Sequence, residues 1–76
     1  MLQKNSMDQE QEKRILSGVN DAHRNVIKDF PVYAREKILK KILKGYYVSS
    51  CSYSTIELRN GYSSYKINRA GTTTPV

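Results

Sequence analysis

The chain has 76 residues, 38% of them hydrophobic and 26% charged, with one cysteine and a formal net charge of +6. That length bounds it to one domain, and the composition is that of a folding chain rather than a disordered one. It excludes a bilayer-spanning segment, for want of a long apolar run, an internal disulfide, since Cys51 stands alone, and a structural zinc site, which Cys51 and His23 cannot assemble without carboxylates.

Residues 1–6 and 70–76 are polar and unpatterned and are expected to be flexible tails around one domain over 7–69. The first of them lacks the apolar centre of a signal peptide, so the expected setting is reducing and cytoplasmic. Ser6 followed by Gln9 fits a capping box, so a helix should begin near Met7. On a helical wheel Ile15, Leu16, Val19, Ala22, Val26, Ile27 and Phe30 fall within an arc of roughly 140°. That stripe continues through Ser17-Gly18, a possible break. One helix from about 7 to 29, or two helices divided near 17–20, both satisfy the pattern.

Pro31 ends helix at Phe30 and suits the start of another. The next helix is predicted from about Pro31 to Lys44, with Gly45 as its stop. Ile38, Leu39, Ile42 and Leu43 form its apolar side; Lys37, Lys40, Lys41 and Lys44 lie opposite, within roughly 100° of arc. Arg35 falls towards the apolar side and is expected to reach outward along its stem.

After Gly45 the period changes from 3.6 to 2. Tyr46–Val48, Thr55–Arg59 and Tyr62–Asn68 read as strands, the last two joined by an Asn60-Gly61 turn, which favours a hairpin. That turn pairs Arg59 with Tyr62 and Ile56 with Tyr65. Ile56, Leu58, Tyr65 and Ile67 then cover the helices, while Glu57, Arg59, Tyr62 and Lys66 meet solvent. The predicted class is therefore α+β: two or three N-terminal helices followed by a small antiparallel sheet with a β-hairpin.

The charge is placed unevenly. Residues 1–30 carry five basic and five acidic side chains, and residues 31–76 carry the whole excess of +6. A one-sided excess points to a polyanionic partner. The lysine side of the helix, beside a hairpin with Arg59, Lys66 and Arg69, is arranged to track phosphates. The same lysines also suit a solvated helix face and the C-terminal end of a helix dipole. Tyr62 is the exposed candidate for stacking on a base. The candidate nucleic-acid-binding set is Arg35, Lys37, Lys40, Lys41, Lys44, Arg59, Asn60, Tyr62 and Lys66.

Catalytic chemistry is poorly provided for. His23 lies in the apolar stripe, where a half-buried, hydrogen-bonded imidazole is expected. Cys51 has serine neighbours and no charge to activate it. Asp8, Glu10 and Glu12 suit a helix start, and no phosphate-binding glycine loop or nucleophile motif occurs. The expectation is a non-enzymatic binding domain with no metal and no cofactor. DNA is the expected partner, with RNA as an alternative. A small inhibitor or adaptor docking on an acidic protein fits the same charge, and a homodimer would suit so small a core.

The stretch from Val32 to Val48, with Lys44-Gly45-Tyr46 at the helix end, followed by the Leu58–Ile67 hairpin, resembles the second half of a winged helix-turn-helix domain. The resemblance covers about half of the chain. It implies a DNA-binding transcriptional regulator of bacterial or phage type, with the second helix in the major groove and the wing tip on the adjacent backbone. Arg35, Lys37, Lys40 and Lys41 would then lie on or near the recognition helix, and Arg59, Asn60 and Tyr62 at the wing.

Overall fold

The structure is a computed structural model that describes residues 9–76. The expected capping box at Ser6, the helix start at Met7 and the tail over residues 1–6 lie outside the described residues. The choice between one long helix and two is decided at Asn20. Helix α1 (Gln9–Leu16) ends in a turn, and α2 (Asp21–Asp29) begins afresh. Asn20 adopts an extended conformation and its side-chain oxygen accepts the His23 amide at 2.9 Å, the bond that an N-cap residue makes. The Asn20 amide nitrogen also lies 3.1 Å from His23 Nδ1, so the half-buried imidazole is hydrogen-bonded as expected. Because Asn20 is extended, the helical phase is interrupted at the break and the apolar stripe does not carry straight across it. Leu16 and Ile27 are buried while Ala22, counted in the stripe, is exposed.

Phe30 is buried and extended, as the residue before a proline prefers, and α3 follows as Val32–Leu43. Gly45, at a φ of 100°, stops α3. Its amide donates to the Ile42 carbonyl at 3.0 Å and the Tyr46 amide to that of Lys41 at 3.1 Å. These are the paired bonds of a Schellman motif, and they need the positive φ that glycine supplies without penalty. Leu43, expected on the buried side, is 54% exposed. It lies in the last turn, beyond the Ile38 and Leu39 contacts that bury the middle of the helix.

Four strands follow in an antiparallel meander: β1 (Tyr47–Cys51), β2 (Thr55–Asn60), β3 (Ser63–Asn68) and β4 (Thr73–Pro75), in the spatial order β1-β2-β3-β4. The β1–β2 register shifts between Val48 and Ser50, where Ser49 is the extra residue of a bulge. The β2–β3 hairpin turns one residue later than expected. Asn60 pairs with Ser63, so Gly61 and Tyr62 occupy the loop, and only Gly61 has positive φ, at 62°. A type II′ turn has that requirement, whereas the Asn-Gly turn expected from the sequence needs positive φ at both central positions. Moving the turn by one residue shifts each cross-strand partner by two. Ile56 therefore faces Ile67 and Leu58 faces Tyr65, yet no side chain changes face.

The fourth strand corrects the expected C-terminal tail. Asn68 organises the turn before it: its side-chain oxygen accepts the amides of Ala70 and Thr72, at 3.0 and 2.9 Å, and Gly71 takes a φ of 86°. A Cβ added at Gly71 would lie 2.5 Å from Tyr33 Cε2, so the ring and the turn fit only with glycine there. Pro75 is tolerated because β4 is an edge strand.

The core is one cluster: Leu16, Ile27 and Phe30 from the first two helices and their junction, Ala34, Ile38 and Leu39 from α3, and Ile56, Leu58 and Ile67 from the sheet. All helices thus lie on one face of the sheet. The other face, with Tyr47, Ser50, Glu57, Arg59, Ser64, Lys66 and Thr74, is left to solvent. Among the described residues no helix is long and apolar enough to cross a membrane.

Candidate nucleic-acid interface

The lysines of α3 recur at three- and four-residue steps, and helical geometry puts them on one side. Lys37, Lys40, Lys41 and Lys44 line a shallow depression of about 290 Å³ closed on its far side by Thr73 of β4. Two of the four are held by aromatic rings. Lys37 Nζ lies 4.9 Å from the centroid of Tyr33, and Lys41 Nζ lies 3.7 and 4.9 Å from those of Tyr65 and Tyr46. A ring quadrupole orients an ammonium without cancelling its charge, so the rings give both lysines a preferred place in the row. Lys40 and Lys44 are exposed.

The hairpin tip is fastened to the C-terminal end of this row. Tyr46 follows the Schellman turn directly, and its hydroxyl lies 2.6 Å from Ser63 Oγ at the start of β3. Its ring stacks at a tilt of 58° on Tyr65, with centroids 5.9 Å apart. Asn60 Nδ2 approaches Gly45 so closely that a Cβ there would meet it at 3.4 Å. Lys41, Lys44, Asn60 and Tyr62 consequently belong to one end of the molecule.

The remaining candidates do not join the row. Arg35 is turned inward. Its Nε lies 3.2 Å from Glu12 Oε2, poorly aligned for a hydrogen bond, and its Nη1 donates to the Lys28 carbonyl at 3.0 Å. It ties all three helices together instead of reaching solvent. Arg59 and Lys66 project from the outer face of the sheet, on the far side from α3, with Lys66 directly opposite Glu57. Arg69, counted with the basic hairpin, is also structural. Its guanidinium lies over the rings of Phe30 and Tyr53, at 4.8 and 4.1 Å, and donates to the carbonyls of Asp29 and Tyr53, at 2.6 and 2.8 Å.

No protein-family model, curated protein or solved structure matches the chain significantly. The surface therefore has to be read from its own chemistry. Among the described residues the ion pairs Arg24–Asp21, Arg35–Glu12 and Arg69–Asp29 all employ arginines. Among the described residues no three His, Cys, Asp or Glu side chains converge in a metal-binding group. The sequence does not assign Tyr33 and Tyr46 the role of positioning the lysines. The available signal was the Lys-Gly-Tyr-Tyr step, where strand alternation turns Tyr46 towards the helices and Tyr47 away from them.

Proposed function

We propose that the chain binds the backbone of duplex DNA through the lysine row of α3, with the hairpin tip on the neighbouring backbone, in the manner of a small bacterial or phage transcriptional regulator. The observation that carries this reading is one continuous cationic edge: four lysines on one side of α3, two of them oriented by rings, leading to a hairpin tip fixed by the Tyr46–Ser63 hydrogen bond. At a rise of 1.5 Å per residue the row from Lys37 to Lys44 is about 10 Å long, enough to meet about three phosphates of one strand. The two-residue link between α2 and α3, and a β2–β3 hairpin further along after β1, are features that also suit the winged-helix resemblance.

Phosphate contacts release condensed counterions, so binding governed by this row must weaken with salt. Anisotropy of a labelled blunt duplex, titrated between roughly 50 and 200 mM salt, should give a log–log slope of about −3. A flat dependence, or no binding at the lowest salt, would remove the proposal.

A further inference from the structure

Four of the six tyrosines have structural work. Tyr33 lies against Gly71 and under Lys37, Tyr46 bonds Ser63, Tyr53 stacks on Arg69, and Tyr65 lies under Lys41. Tyr47 and Tyr62 have no such partner among the described residues. They are 57% and 108% exposed, and both stand at the hairpin end of the sheet. Tyr47, at the start of β1, is directly opposite Arg59, near the end of β2. Arg59 is in turn opposite Ser64, and Tyr62 occupies the turn that joins those two strands. Exposed Arg59 and Tyr47 thus share the sheet face that no helix covers, and exposed Tyr62 stands at the adjoining turn. The tip is slender as well, since a Cβ at Gly61 would meet nothing within 4 Å.

This corner differs in kind from the lysine row. Point charges follow phosphates, whereas tyrosine and arginine present flat π surfaces that stack on bases, and every base has such a face. Bases inside a duplex are already stacked on each other, so only an unpaired one is free to take up this surface. We infer that the outer corner formed by Tyr47, Arg59 and Tyr62 is a stacking platform for single-stranded DNA that leaves a duplex held by α3. The inference rests on the nucleic-acid reading above. Charge complementarity favours a strand there, because Arg59 and Lys66 face only Glu57 on the outer sheet surface and Lys44 borders the same end of the molecule.

The test compares a blunt DNA duplex with the same duplex carrying a thymine tail. The intact chain should bind the tailed duplex more tightly, and the preference should persist as salt rises, because stacking is not an ionic term. Tyr47→Thr, outside the duplex-binding edge, should lower tailed-duplex affinity roughly five- to a hundred-fold with blunt-duplex affinity and its salt slope unchanged, and Tyr62→Ser, at the tip that also meets the duplex, should cost the tailed duplex more than the blunt one. The chain contains no tryptophan, so Tyr62→Trp places a single reporter at a solvent-exposed tip. Its fluorescence should be quenched more strongly by the tailed duplex than by the blunt one. Equal binding of both duplexes, or a tail preference that survives both tyrosine substitutions, would overturn the platform while leaving duplex binding standing. Failure to bind either DNA at low salt would overturn both readings.

Discussion

The first thirty residues and the rest of the chain handle charge in opposite ways. The helical segment is electrically balanced, and three of its five carboxylates are put to use: Asp21 pairs within α2, Glu12 receives Arg35 and Asp29 receives Arg69. The later segment holds the excess of +6, but its two inward-turned arginines are spent on joints between elements. A guanidinium suits that work, since its fork of donors satisfies carbonyls and carboxylates while its plane lies on rings. What remains on α3 is lysine. Net charge thus overstates the proposed interface, which would draw only on the lysines that α3 keeps after the arginines are taken by the fold.

The largest effect should come from separating these two populations. Lys40→Glu combined with Lys44→Glu reverses two exposed charges that make no core contact. Duplex affinity at about 0.1 M salt should fall at least roughly a hundred-fold, with thermal unfolding shifted little. An unchanged affinity in the double variant would mean that the lysine row is an ordinary solvated face.

The reverse dissociation is smaller and concerns stability. Arg69→Ala removes the bridge between the end of α2, the loop at Tyr53 and the β3–β4 turn, and uncovers the Phe30 ring. Denaturant unfolding should show a loss of about 1–3 kcal/mol. DNA affinity per folded molecule should stay within about two-fold, because charge outside the row contributes only weakly at that salt. A loss of binding larger than that, in a protein still folded, would return Arg69 to the interface.

Local signals were legible in the sequence and distant ones were not. Gly45 as a helix stop, Pro31 as a divider and the hairpin's inward residues each depend on neighbours a few positions away, and each is found in the structure. The wheel left the break at Ser17–Val19 open because it assumes a straight axis. Asn20, an N-cap three residues before the amide it accepts, decides the matter. Strand β4 escaped notice because Thr73–Pro75 has no alternating apolar pattern. Its signal was Asn68 followed by Gly71, an Asx residue and a glycine at the ends of a turn. The roles of Arg35 and Arg69 were out of reach, since Arg69 meets Asp29 across 40 residues and no periodicity encodes such a contact.

Lys41 stands on both sides of the comparison and gives its finest test. Its ammonium lies close to the Tyr65 ring and near that of Tyr46, so it stabilises the joint between α3 and the hairpin while also pointing into the lysine row. Lys41→Met keeps an unbranched, polarizable chain against the rings and deletes only the charge. If the cation serves the fold, stability should drop by about 0.5–1 kcal/mol, the worth of a partly exposed cation–π contact. If it also meets a phosphate, the salt slope of duplex binding should become shallower by about 0.9. Both changes are expected together. A stability loss with an unaltered slope would assign Lys41 to the fold alone, and would shorten the DNA-contacting row to Lys37, Lys40 and Lys44, making its cost to binding separable from that of the exposed pair.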